Sequence, residues 1–261
     1  MNKTVWLTGA SSGIGKALAI DFAKQKANLV LSSRKLIELK KVQKECLLYT
    51  HQCIVIPLDL EKNKDFQSLV NEIVQKYSTV DYLLLNGGVS QRSLAHETPI
   101  EIDRKLMEVN YFGNIALAKA VLPQMVRQQK GHIIVVSSIV GKFGFPLRSA
   151  YAASKHALHG FFETLRAEHK KDNIKITIVI PGRVKTNISV NALNKEGKLH
   201  GEMDQGQEKG ISAESCSKQI VKAIKKNKKE QFIGGNELSM VKIRKYLPFL
   251  FYKIVSKVET K

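Results

Sequence analysis

Cysteine is scarce in this chain of 261 residues: Cys46, Cys53 and Cys216 are the only three, with no C-x-x-C pair and no nearby histidine at metal-ligand spacing. That excludes a disulfide-built miniprotein and offers no metal site, so none is expected, and the thiols read as reduced residues of a cytoplasmic compartment. Proline numbers six and tryptophan one, and no low-complexity tract, internal repeat or Pro/Ser-rich linker supports a domain boundary. Long apolar runs are missing too. The longest near the end, Tyr246 to Val255, is broken by Pro248 and Lys253 and falls far short of the ~20 residues of a membrane span. Met1-Asn2-Lys3-Thr4 leads into a short apolar run that stops at Gly9, so no signal peptide is expected. Acidic residues are outnumbered, 23 Asp+Glu against 42 Lys+Arg, for a net charge of +19.

What is present suffices for a core. With 43% apolar residues the chain is no disordered tail, and a single domain of this length buries ~70–75% of the surface its unfolded chain exposes. Strand candidates recur at Thr4–Leu7, Asn28–Ser32, Ile54–Pro57, Tyr82–Leu85, His132–Ser137, Lys175–Ile180 and Gln231–Ile233. Between them lie helical spacings: Ile14, Leu18 and Phe22, then Phe66, Leu69, Val70 and Ile73, then Leu158, Phe161, Phe162 and Leu165. Strands written as continuous Val/Ile/Leu runs are buried on both faces, and their alternation with helices predicts a parallel, doubly wound, Rossmann-type α/β sheet in one domain spanning 1–261. Lys185 to Gly210 is polar with little periodicity and is expected to be a mobile flap over a site.

The first strand runs straight into Thr8-Gly9-Ala10-Ser11-Ser12-Gly13-Ile14-Gly15 and then a helix. Glycines in such a turn let backbone N–H groups and a helix N-terminus approach a pyrophosphate. Gly9, Ser11, Ser12, Gly13, Ile14 and Gly15 are therefore candidate cofactor-binding residues, although the spacing is G-x-x-x-G-x-G rather than G-x-G-x-x-G. The same letters fit the hydrolase elbow G-x-S-x-G with Ser11 as nucleophile, but only one strand precedes Ser11 and the seven histidines are scattered. At the end of the second strand stands Ser32-Ser33-Arg34-Lys35 with no carboxylate. Arg34 can form a charge-assisted fork to a ribose 2′-phosphate and Ser33 can donate a hydrogen bond, which favours NADP(H) over NAD(H).

Tyr151 and Lys155 stand four apart in a helix-prone stretch and so share a face. A neighbouring ammonium is expected to lower the phenol pKa toward neutrality, so that Tyr151 exchanges a proton with an alcohol or carbonyl oxygen. Ser137-Ser138 closes a strand at its C-terminal end, where ligands of open α/β sheets sit, and Asn110 is an amide inside an apolar helix. Together Thr8-Gly-x-x-x-Gly-Ile-Gly15, Asp59, Asn86-Gly87-Gly88, Asn110, Ser138, Tyr151, Lys155 and Pro181-Gly-Arg-Val-Lys-Thr186 resemble the short-chain dehydrogenase/reductase family, from Lys3 to about Gly235. Ile134–Gly141 and Tyr151–Leu158 look most like its hydroxysteroid-dehydrogenase-like branch.

The resemblance implies Tyr151 as general acid/base, Lys155 tuning it while binding the nicotinamide ribose, Ser138 on the substrate oxygen, and Asn110 holding a water that relays protons to Lys155. It places Asp59 at the adenine, Asn86 and Gly87 near the adenosine, and Val184 with Thr186 at the carboxamide. One departure is visible: the family's Asn-Asn-Ala-Gly is Leu85-Asn86-Gly87-Gly88 here, which predicts fewer polar contacts and a looser turn near the adenosine.

The pocket wall is expected from Gly141–Ser149, the flap and Ser90-Gln91-Arg92. Phe143, Phe145, Pro146 and Leu147 suit a bulky hydrophobic alcohol or carbonyl, or are packing residues; Arg92 and Arg148 either meet an anionic substrate group or are solvated. From Lys209 onward thirteen Lys/Arg face four Asp/Glu, and residues 237–261 mix cations with apolar residues. Such a tail can lie on an anionic membrane surface, cap the pocket or pack on a second subunit, in keeping with an expected homodimer or homotetramer. Charge without a recognition motif gives no case for nucleic acid. A non-catalytic dinucleotide sensor on the same fold is the competing reading.

Overall fold

The computed structural model describes residues 3–62 and 65–258. Seven strands form one parallel sheet: β1 (Thr4–Thr8), β2 (Asn28–Ser32), β3 (Cys53–Val55), β4 (Tyr82–Leu85), β5 (Gly131–Val136), β6 (Ile174–Pro181) and, after two short strands β7 (Val184–Lys185) and β8 (Ile211–Ser212) that pair with each other, β9 (Glu230–Ile233). The order across the sheet is β3-β2-β1-β4-β5-β6-β9. Every neighbouring pair runs parallel, so the winding reverses between β1 and β4.

Helices cover both faces, as strands without polar alternation require. On one face α1 (Gly13–Lys24), α2 (Leu36–Leu47) and α8 (Ala213–Lys225) place Leu18, Phe22, Leu39 and Ile220 against Leu7, Leu29 and Val179. On the other, α3 (Phe66–Tyr77), α5 (Gly113–Arg127) and α6 (Ser149–Glu168) pack Ile73, Val121 and Phe162 on Trp6, Leu83 and Ile133. The helix entering α5 begins as α4 (Ile100–Met107), and a π-helical turn at Glu108–Phe112 joins the two. A four-residue helix α7 (Gln205–Glu208) ends the flap; α9 (Ser239–Tyr246) and α10 (Pro248–Val255) close the described chain, with Pro248 at the start of α10, where no backbone N–H is needed.

Strand β3 stops at Val55, two residues short of the expected end at Pro57, because proline has no N–H for the ladder. The three cysteines are buried and unbridged. No helix among the described residues is long and apolar enough to cross a membrane. Glu259–Lys261 of the expected tail lie outside the described residues.

Candidate active site

The winding reversal opens a crevice between the C-terminal ends of β1 and β4, and side chains staple it. Thr8 Oγ1 accepts the amides of Asn86 and Gly87, both at 3.0 Å, while Asn86 Nδ2 reaches the carbonyls of Thr8 and Gly9 at 3.3 Å. Contrary to the expectation from the sequence, Gly87 does not loosen this turn. A Cβ there would stand 2.8 Å from Leu60 Cδ1 and 3.3 Å from Thr8 Oγ1, so the glycine is what lets three segments meet, while Leu85 is core.

Gly9 and Gly13 have positive φ, and a Cβ on Gly15 would collide with the Gly9 carbonyl. No side chain caps the start of α1, so the first amides of that helix, after Ser11 and Ser12, keep free donors toward the crevice. Ile14 packs on the core from there. Ala10 N donates to Ser32 O at 3.2 Å and so fixes the turn beside the end of β2, where Ser33 Oγ accepts Lys35 N and Arg34 projects into solvent. Asp59 Oδ1 accepts Glu61 N at 3.0 Å. Thr186 leans on the glycine turn, its Cγ2 3.0 Å from where a Gly13 Cβ would be, and buried Val184 donates its amide to Gln207 Oε1 at 3.1 Å.

At the exit of β5, Ser138 Oγ accepts Val140 N and stands close enough to the Tyr151 phenol to favour its ionised form. One turn along α6, Lys155 is buried, 5.8 Å from the Tyr151 ring centroid, and its ammonium donates to Val136 O at 2.9 Å. Burial brings Lys155 down to about 8. Burial also raises the Tyr151 phenol, against the pull of Ser138, Arg92 and Arg148. The expected lowering of the phenol is therefore outweighed by burial in the protein alone, where the Lys155 ammonium is committed to the strand carbonyl.

The π-helical turn turns Asn110 inward. Its Oδ1 accepts Val89 N at 2.8 Å and its Nδ2 donates to Val89 O at 2.9 Å and Ser154 Oγ at 3.1 Å, so the amide is a strut between the exit of β4 and α6. Asn114 Nδ2 binds Asn110 O and Gly87 O. Ser154 and Asn114 carry no local signal beyond standing three and four residues from Tyr151 and Asn110.

Gln91 was visible only as a pocket-wall residue, yet it organises the site. Fully buried, it accepts Ala150 N at 2.9 Å and Tyr151 N at 3.3 Å on Oε1, and its Nε2 donates to Ser93, Thr98 and Ser149. A side chain from the β4 exit thus caps the helix bearing the phenol. The flap is pinned to the same segment: Arg92 N donates to Leu193 O at 2.8 Å and Leu193 N to Ser90 O at 2.9 Å, while Asp204 receives both Arg92 and Arg148. Phe143 is buried edge-on against Phe251 of α10, a packing residue. Among the described residues no histidine bonds Ser11, and buried His132 and His159 are engaged with Thr177 and Ser137.

The short chain dehydrogenase pattern matches residues 3–197. The chain belongs to the short-chain dehydrogenase/reductase family. This short-chain dehydrogenase/reductase is 41% identical over 260 residues to mouse dehydrogenase/reductase SDR family member 7B, covering 98% of this chain and 80% of the mouse protein. It is 42% identical over 237 residues to an SDR family protein 7-like dehydrogenase/reductase of Anopheles gambiae, covering 89% and 75%. Its fold superposes on a Burkholderia phymatum short-chain dehydrogenase/reductase in complex with NAD (TM-score 0.85, 21% identity, 95% of each chain) and on a Sphingobium yanoikuyae enzyme in complex with NADPH (TM-score 0.78, 21% identity, 98% and 96%). It is an oxidoreductase of a fold that binds nicotinamide dinucleotides, and the uncapped α1, the turn that admits no Cβ at Gly15 and the stapled crevice fit that group.

Proposed function

We propose that this short-chain dehydrogenase/reductase uses NADP(H) to interconvert an apolar secondary alcohol and its ketone, or an aldehyde, with Tyr151 as general acid/base. The observation that carries the reading is the meeting of Tyr151 with buried Lys155, 5.8 Å from its ring centroid, beside Ser138 at the C-terminal end of β5. When bound, the nicotinamide supplies or accepts the hydride. In reduction Tyr151 Oη gives its proton to the substrate oxygen, which Ser138 Oγ orients. Lys155, brought down to about 8 by burial, would bind the ribose hydroxyls of the bound nucleotide and return a proton to the phenolate. Asn110, fixed by its bonds to Val89 and Ser154, would hold a water that relays protons to Lys155.

NADP(H) is favoured by exposed Arg34 beside Ser33 at the rim of β2, with Asp59 at the adenine, Gly9 to Gly15 at the pyrophosphate, Asn86 and Gly87 on the adenosine side, and Val184 with Thr186 at the carboxamide. An apolar substrate is supported by Phe145, which is partly buried beside the Ile139–Phe143–Phe251 cluster. On α9 and α10, Phe249 (80% exposed), Tyr252 (57%), Tyr246 and Leu247 stand among Lys242, Lys245 and Lys253, a composition suited to an anionic membrane surface reached from a reducing, cytoplasmic compartment. The homodimer or homotetramer is the competing cover for that face. Cosedimentation with phosphatidylserine vesicles but not neutral ones supports the membrane; a concentration-dependent oligomer lost in Phe249→Ser supports the second copy.

The test of function is loss of NADPH absorbance against a panel of apolar carbonyls, wild type against Tyr151→Phe. The variant is expected to lose at least ~10³-fold in rate. Turnover that survives it overturns the mechanism, and nucleotide binding without turnover of any carbonyl points to the sensor.

A further inference from the structure

Behind the cleft a buried nitrogen faces two carboxylates with nothing between them. His159 on α6 is 7% exposed, and among the described residues its Nδ1 has no hydrogen-bond partner. Glu163, one turn further along the helix, brings Oε1 to 3.7 Å from that nitrogen, and Glu230, the first residue of β9, brings Oε1 to 3.5 Å. The ligand atoms of the three residues lie within 4.8 Å of one another. Both contacts are longer than an N–H···O hydrogen bond. They match instead the spacing of two ligands on one small cation, since donors ~2.1 Å from a tetrahedral centre stand about 3.4 Å apart.

The second ring nitrogen decides which proton the imidazole carries. Ser137 Oγ donates its single proton to Lys155 O at 3.2 Å and stands 3.1 Å from His159 Nε2. A hydroxyl whose proton is committed can only accept, so Nε2 bears the ring hydrogen and Nδ1 keeps a bare lone pair. That lone pair and two carboxylate oxygens are three acceptors meeting without a donor, an arrangement that a cation relieves. Burial, aided by the like charge of Lys142, brings the imidazole down to about 4, so at pH 7 it offers the lone pair and not a second proton. A hydrogen bond on the far nitrogen is also what orients histidines that bind metals. One cation is already close: Lys142 Nζ donates to Glu230 Oε1 at 2.7 Å, which answers that carboxylate but not Nδ1.

We propose that His159 Nδ1, Glu163 and Glu230 form a binding site for one divalent transition metal of the Zn²⁺ class, which displaces the Lys142 ammonium from Glu230 and clamps α6 to the edge strand of the sheet. An imidazole with two carboxylates suits Zn²⁺ and disfavours Mg²⁺, which takes oxygen ligands. Glu163 is half-exposed and Glu230 partly so, which leaves an entry path and room for a water as fourth ligand. The clamp reaches the cleft through structure alone: the Ser137 hydroxyl joins His159 to the carbonyl of Lys155. It stands independently of Tyr151 as proton donor. The sequence gave no reason to expect a metal, because only the pairing of β9 with β6 brings Glu230 to the helix.

The experiment is a calorimetric titration of tag-free, chelator-stripped protein with Zn²⁺ at pH 7, with Co²⁺ absorbance reporting the ligand set. Wild type is expected to bind one Zn²⁺ in a saturable step that Mg²⁺ at the same concentration does not reproduce. His159→Gln and Glu163→Gln each weaken that step at least ~10-fold, whereas Lys142→Gln, which removes the competing ammonium, tightens it. Zn²⁺ also raises the melting temperature of wild type and not that of Glu163→Gln. Absence of a one-to-one step, or equal affinity in wild type, His159→Gln and Glu163→Gln, overturns the proposal. The half-exposed Glu163 keeps the test decisive even if loss of the buried imidazole prevents folding. Hydrogen on both ring nitrogens of His159 at pH 7, seen by nitrogen NMR of the metal-free protein, means that a proton fills the gap and likewise overturns it.

Discussion

The cleft is built in two materials. From Thr4 to Leu85 it is made of backbone and small groups: the glycine turn, the free amides of α1 and a threonine hydroxyl pinning two main-chain N–H groups. From Gly131 to Gly210 it is made of buried hydroxyls and charges: Ser138, Tyr151, Lys155, Arg148 and Asp204, joined by Arg92 and Gln91 from the β4 exit. A phosphate ligand carries its own charge and asks only for donors and space, which backbone supplies with little to titrate. Proton transfer asks for groups whose charge state is held and released, and only side chains provide them. The first half should therefore fail by steric clash, the second by pH.

That contrast can be broken at four points. Gly15→Ala places a Cβ against the Gly9 carbonyl, and cofactor binding by calorimetry should weaken by at least ~3 kcal/mol, more than a hundredfold, at any pH. Acid should strike the second half. Burial lowers His132 and His159 to about 4, so the unfolded chain, with imidazoles near 6.5, binds more protons below that value. Stability is then lost as pH falls from about 6.5 to about 4, by roughly 2–3 kcal/mol for each histidine, and His132→Gln should flatten half of that slope in urea melts. A flat profile in the wild type would refute the division. Gln91→Ala leaves the amides of Ala150 and Tyr151 and three hydroxyls without their partner. It should cost about 2 kcal/mol of stability and lower kcat more than it raises KM, with Gln91→Glu restoring part of the helix cap. Smallest is Arg34→Asp at the exposed rim, where roughly tenfold weaker NADPH binding with NADH unaffected is expected in a fluorescence titration; equal losses for both would remove the 2′-phosphate argument.

The first half was also the more legible. Continuous apolar runs bounded by turn residues gave β2 and β4 their observed ends and the others within a residue or two, because burial on both faces is written directly in residue type. The glycine turn could be read because its demands are local. In the second half Tyr151, Lys155 and Ser138 could be placed, since helical spacing and a strand end fix them, but what surrounds them could not. Gln91 caps a helix that begins 58 residues later, and Asp204 meets Arg92 across 112 residues; no local pattern distinguishes such residues from solvated ones. Periodicity puts Lys155 on the same face of α6 as Tyr151, yet no local pattern says that its ammonium bonds Val136 O.

The widened turn at Glu108–Phe112 carries a consequence for how this chain can vary in length. Ile100 to Arg127 is nearly one spiral with an added residue, which brings Asn110 onto Val89 and, three positions on, Gly113 against the Leu60 carbonyl, a spot that admits no side chain. Deleting one residue between Glu108 and Phe112 would return the spiral to ordinary pitch with its two ends in unchanged phase, whereas a deletion in the regular turns on either side would rotate one end against the other by about 100°. Gaps in kindred sequences should therefore concentrate within those five positions, where the inward turn of Asn110 is lost but Gly113 keeps its seat on Leu60.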